Sequence, residues 1–177
     1  MLVTVNKRCT SSVTSSYLKA CSVTLAAALL ASCHRAPDRL VGSFSVSDPA
    51  VSKQLVAGFY ASENGYRWTG PTFTVALPAR NSDTPRRAEL TLSLYLPPNE
   101  IEQLGPVTIT ATGSEYQFGK ATYDKAGAHD FTVEIPDEAV SCTNVLPVTF
   151  SLDKYMHPSN GDARQLGVVV NRISLRK

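Results

Sequence analysis

The sequence predicts an all-β domain, an antiparallel β-sandwich or jelly roll of about eight strands. Three observations lead there. Beyond residue 40, short segments of alternating apolar and polar residues recur roughly every 8–12 residues. Helical periodicity is almost missing from the same region. Turn-forming clusters separate the segments, among them Asn64-Gly65, Pro97-Pro98 and the run 158–162 (PSNGD). The chain has 177 residues, 43% hydrophobic and 18% charged. That is the composition of a folded protein, and the length suits one domain with an extension.

The extension comes first. Residues 1–21 are polar and basic, and residues 23–30 form a short apolar run, VTLAAALL. A basic lead, a short apolar stretch and small residues before a cleavage point make a secretory signal peptide. The run is well under the roughly 18 apolar residues that cross a bilayer as a helix. Leu30-Ala31-Ser32-Cys33 resembles the lipobox of bacterial lipoproteins. The resemblance implies removal of residues 1–32, lipidation of Cys33 and anchoring in a membrane. An ordinary signal peptide with a cysteine beside its cut site is the alternative. Several acyl chains hold a protein durably, whereas one holds it marginally. Residues 33–39 then form a short tether, and His34 after Cys33 favours the outer membrane where the lipoprotein sorting rule applies.

Charge and cysteine content change once the leader is set aside. Lys7, Arg8 and Lys19 lie in the first 32 residues, which hold no acid, so 14 basic residues face 15 acidic ones, a net charge of −1. A near-neutral domain lacks the basic footprint of nucleic-acid binding. Of the four cysteines, only Cys142 would remain beside the lipidated Cys33. An intramolecular disulfide is then unavailable, and Cys142 reads as a small buried hydrophobe.

Along residues 40–177 the elements read as follows. Residues 40–46 (LVGSFSV) alternate as a first strand, and residues 48–54 form a loop or one helical turn. Pro71 opens a strand at residues 72–77 (TFTVAL), followed by a polar loop to Arg87. Residues 89–96 (ELTLSLYL) alternate strictly, with Leu90, Leu92, Leu94 and Leu96 on one face. Asn99 would cap one helical turn ended by Gly105, leaving Glu100 and Glu102 solvated. Strands follow at 107–112, 116–118, 130–135 and 146–152. The last, 166–175 (LGVVVNRISL), begins apolar on both parities, as a central strand does.

The densest stretch lies between the first two of these, Gly58 to Gly70, reading GFYASENGYRWTG. It holds Phe59, Tyr60, Tyr66 and Trp68, four of the 14 aromatics and the only Trp. Asn64-Gly65 is a strong hairpin signal because both residues tolerate positive φ. A two-residue turn sets Glu63 opposite Tyr66, Ala61 opposite Trp68 and Phe59 opposite Gly70. Trp68 then shares the core face with Phe59, and Arg67 lies across Tyr60. A wider loop instead lets Glu63 pair with Arg67.

No familiar catalytic spacing is present: no GxSxG, HExxH, P-loop or GxGxxG. His34, His129 and His157 are far apart, and His129 and Asp130 would point to opposite faces of a strand. Asp83 and Asp124 lack any calcium-loop spacing. The expectation is therefore no enzyme activity, no metal and no cofactor.

Two segments resemble a known kind of module. Gly58, Tyr60, Glu63, Arg67 and Trp68 early, with Asp162 and Arg164 in the pattern Asp-x-Arg-x-Leu-Gly before the final strand, are similar to the galactose-binding-like jelly-roll modules that accompany some bacterial glycosyltransferases. The resemblance implies a non-catalytic, carbohydrate-associated domain, with Tyr60, Glu63, Arg67, Trp68, Asp162 and Arg164 as ligand candidates. This chain has no glycosyltransferase domain, so any enzyme link would run through a partner. Sugar rings stack on exposed aromatics, and their hydroxyls pair with carboxylates and guanidinium forks. The competing expectation is that Trp68 and Tyr60 belong to the core, and that Asp162 and Arg164 tie a loop to a strand end.

Three functions follow in order: a carbohydrate-associated lipoprotein of the bacterial envelope, a structural or assembly lipoprotein that docks on an envelope protein, and a hydrolase assembled from distant residues.

Overall fold

The computed structural model describes residues 39–79, 88–113, 115–140, 144–159 and 161–176. Cys33, His34, Asp83 and Cys142 lie outside the described residues. The expected all-β sandwich is present. Its strands are β1 (Ser43–Ser45), β2 (Leu55–Glu63), β3 (Tyr66–Pro78), β4 (Ala88–Leu96), β5 (Val107–Gly113), β6 (Tyr116–Tyr123), β7 (Gly127–Ile135), β8 (Val145–Leu152) and β9 (Val169–Arg176). A 3-10 helix, Pro49–Gln54, precedes β2, α1 (Pro98–Leu104) follows β4, and α2 (Asp137–Val140) follows β7.

Every pairing is antiparallel, in the order β6-β5-β8-β3-β9-β4-β7, with β1 added on β9 and β2 on β3. The two layers share a strand. From Thr72 to Pro78, β3 pairs with β8, while Arg67 and Trp68 pair with β9. β2 runs along the other edge of both halves. Residues 66–78 are therefore one bent strand, not a hairpin arm followed by a new strand opening at Pro71. The bend falls at Gly70-Pro71, where the β2 register slips.

Strict alternation packs the interior. Leu90, Leu92, Leu94 and Leu96 are essentially inaccessible, and so are Phe73, Val75 and Leu77 of β3 and Val148 and Phe150 of β8. Each such side chain contributes roughly 1.5–3 kcal/mol on leaving water. Phe150 joins the layers: it stacks on Phe73 at 4.9 Å and meets Phe131 of β7 edge-on at 6.0 Å. Along the open side, Tyr123 of β6 donates from its hydroxyl to the Asp130 carbonyl of β7 at 3.3 Å.

The corner under the bend is stitched by backbone. The Thr69 amide donates to the Val168 carbonyl at 2.9 Å, the Gly167 amide donates to the Thr69 carbonyl at 2.7 Å, and the Thr69 hydroxyl bonds Val168 twice. Gly58 sits beside it at φ 75°, so close to β3 that a Cβ would strike the Thr72 carbonyl and lie 2.6 Å from the Phe73 Cα. Only glycine takes both that φ and that approach. The final strand starts at Val169, later than its apolar run suggests, because Leu166 pairs with Met156 instead.

Two expectations for α1 fail. Pro97, not Asn99, occupies the N-cap, and it offers no side-chain cap. Glu100 is fully buried, and among the described residues neither of its carboxylate oxygens has a hydrogen-bond partner. Burial pushes its pKa up to about 8, since a charged carboxylate loses its hydration there. The helix lies against the sandwich, so the fold dictates its inward residue. At its C-terminal end the Lys154 ammonium donates to the Leu104 and Pro106 carbonyls at 3.0 and 2.8 Å.

Candidate functional site

The hairpin between β2 and β3 closes on two residues as its sequence predicts. Asn64 (φ 46°) and Gly65 (φ 92°) make the turn, and Glu63 pairs with Tyr66. The alternation then breaks. Between Ser62↔Arg67 and Phe59↔Thr69, β2 carries one more residue than β3. Such a bulge exchanges the faces of the strand beyond it. Phe59 comes opposite Thr69, not Gly70, and packs against the core. Trp68 is consequently not a core residue. It is half-buried on the outer face with Tyr66.

Arg67 points the other way. Its Nε donates to the Val46 carbonyl at 2.6 Å, and its Nη1 donates to the Tyr60 carbonyl at 2.8 Å. It neither covers the Tyr60 ring nor pairs with Glu63. Its contacts join β2, β3 and the end of β1, and that role is structural.

Tyr60, Glu63, Asp162 and Arg164 do come together, and Arg164 is their hub. Its guanidinium meets the Glu63 carboxylate at 2.8 Å and grips both oxygens of Asp162 through Nε and Nη2, at 2.8–3.1 Å. It also lies 5.3 Å from the centre of the Tyr60 ring. The Tyr60 hydroxyl donates to the Gln165 carbonyl at 2.9 Å. The hydrogen bonds from Arg164, with its positive charge, hold the Asp162 carboxyl down at about 2. Hydrogen bonds to Asp162 and then Glu63 hold the guanidinium above its ordinary range. The polar atoms of this cluster are largely occupied by one another. It fastens the loop before β9 to the hairpin, the tie that the sequence offered as the alternative for Asp162 and Arg164.

Trp68 belongs to a different group. With Tyr66, Tyr95, Pro97, Val169 and Asn171 it lines a cavity of about 340 Å³ on the outside of the sandwich. Trp68 and Tyr95 flank Val169, its partner on both sides. Val169 is 6% exposed and forms the floor; Tyr95 is 38% exposed. Glu63 lies directly across from Tyr66, so the Arg164 network borders this patch. Tyr66 and Tyr95 were not singled out from sequence as ligand residues. The signal for Tyr95 was present: it is the one ring on the polar parity of ELTLSLYL.

Among the described residues, no group of three His, Cys, Asp or Glu side chains could hold a metal ion. His129 faces Lys125, its Nε2 lying 2.8 Å from that carbonyl, while Asp130 accepts from Ser93 at 2.7 Å. The two point apart, as strand alternation requires.

Fold and site together define an all-β sandwich with an aromatic cavity on its outer face. No protein-family model matches the sequence, and no curated protein matches it. Among solved structures the chain is similar to one described as "CBM4 structure and function", at 11% identity and a TM-score of 0.36, covering 76% of this chain and 84% of that chain. A TM-score of that size defines neither a shared topology nor a shared ligand.

Proposed function

We propose that the protein is a non-catalytic lipoprotein of the bacterial envelope, anchored through Cys33, whose β-sandwich binds carbohydrate on the outer aromatic patch. The observation that carries the carbohydrate reading is the grouping of Tyr66, Trp68 and Tyr95 around one cavity over Val169. Half-exposed rings fixed on paired strands offer flat apolar faces at low entropic cost, which is what the CH face of a sugar needs. The lipid anchor rests on Leu30-Ala31-Ser32-Cys33, and the residue after Cys33 points toward the outer membrane.

Trp68 is the only tryptophan and therefore its own probe. A saccharide that stacks on the patch shifts the emission of the full chain in detergent, and Tyr95→Ala weakens that response. If a glycan array and Trp68 emission are both silent while an envelope protein co-purifies, the same patch is a protein-docking surface and the assembly reading replaces this one. Palmitate labelling that survives Cys33→Ala would remove the anchor.

A further inference from the structure

The face that carries Tyr95 continues beyond the aromatic patch, and strand register sets its side chains in rungs across β7, β4 and β9, extended by β3 in the first rung and by β1 in the next two. Ala128, Tyr95, Val169 and Trp68 form the first rung. Asp130, Ser93, Arg172 and Ser45 form the second. Thr132, Thr91, Ser174 and Ser43 form the third, and Glu134, Glu89 and Arg176 the fourth. A groove of about 530 Å³ lies over the second to fourth rungs. Tyr95 and Glu89 are six residues apart on β4, so the face is about 20 Å long at roughly 3.3 Å per residue. Beneath it, Leu90, Leu92 and Ile173 are fully buried, which makes the floor rigid.

The chemistry of the groove is two-way. Ser43, Thr91, Ser93, Thr132 and Ser174 supply hydroxyls that both donate and accept. The charges are mixed, with Arg172 and Arg176 against Asp130, Glu89 and, at the outer end of the fourth rung, Glu134. Among the bonds between the groove's described residues are single contacts: Ser93 to Asp130, Arg172 to Ser43 at 2.9 Å, and a long Thr91–Thr132 contact at 3.4 Å. A polyanion would face the three carboxylates Asp130, Glu89 and Glu134, and a polycation two guanidiniums. A vicinal diol, which donates and accepts without charge, fits both. A face longer than any one sugar ring presents such groups to successive rings.

We infer that the ligand of this face is a linear, uncharged glycan read over several rings, one on the aromatic patch and the next ones over the hydroxyl rungs. This rests on the reading that the patch meets sugar. The test is calorimetric titration of the full chain in detergent, with Trp68 emission followed in parallel. The probes are gluco-, manno- and galacto-oligosaccharides from monomer to hexamer, with hexameric galacturonate as the charged comparison. In one neutral series the hexamer should bind at least about tenfold tighter than the dimer, with little effect of added salt. Arg172→Ala and Thr91→Val, both surface changes checked by thermal melting, should each remove about tenfold from the hexamer and leave the dimer unchanged. Affinity independent of length, with the Trp68 response intact, overturns the extended ligand and leaves the sugar contact standing. Preference for galacturonate, weakened by salt, overturns the uncharged ligand. Silence toward every sugar overturns this inference and the carbohydrate reading together.

Discussion

The guanidinium of Arg164 meets the carboxylate of Glu63 at 2.8 Å across 101 residues of chain. Between them stand most of the strands, so the contact exists only when the loop before β9 has closed onto the hairpin. Arg164→Ala should release Asp162 from about 2 toward its ordinary value of 3.8. NMR titration of the Asp162 carboxyl reads this directly. Because the folded value is depressed, the stability this group contributes is present above pH 4 and lost as pH falls toward 2. In the variant that acid-side loss should shrink, and the 153–168 loop should become the first site of limited proteolysis.

Glu100 has the opposite sign. Its folded pKa is raised from 4.5 to about 8, so the native state keeps a proton that the unfolded chain releases. Stability is full below about pH 4.5 and declines as pH rises toward 8. Urea denaturation at pH 5 and pH 8 should show wild type weaker at pH 8 by about 3–4 kcal/mol. Glu100→Gln should flatten that difference, and a wild-type profile already flat across the interval would refute the assignment.

Gly58→Ala should be among the most damaging single changes in the domain. The added methyl meets backbone of β3 and not a yielding side-chain tip, and φ 75° is itself strained for alanine. The expected loss is about 3 kcal/mol or more, visible as a fall in denaturation midpoint. A loss under about 1 kcal/mol would mean that β2 can shift away from the bend.

Arg67→Met should cost about 1–3 kcal/mol, because the Val46 and Tyr60 carbonyls lose their side-chain donors. Arg67→Lys should not restore it: a single ammonium cannot reproduce a fork that serves two separated carbonyls. Saccharide-induced emission of Trp68 should persist in the folded fraction, which separates this residue from the ligand surface.

The legibility of this chain follows the length of its local signals. Strict alternation at Leu90 to Leu96 and a two-residue Asn-Gly turn are complete within a few residues, and both came through. The placement of Trp68 did not, because it turns on one extra residue between Phe59 and Ser62 that no local pattern announces. Glu63 with Arg164 and Trp68 with Tyr95 are long-range meetings set by strand order, which spacing alone does not contain. Glu100 was misplaced for a related reason: a short helix has no exposed side of its own until the sheet beneath it is known.

One feature of the architecture bears on how the outer face can behave. β3 is a member of both layers, held to β8 by one half and to β9 by the other. Either layer can slide against the other only by breaking ladder bonds of β3 to β8 or to β9. Amide exchange on either side of Gly70-Pro71 should therefore proceed in step. The same strand positions the Phe73 core contacts and the Trp68 edge of the outer face.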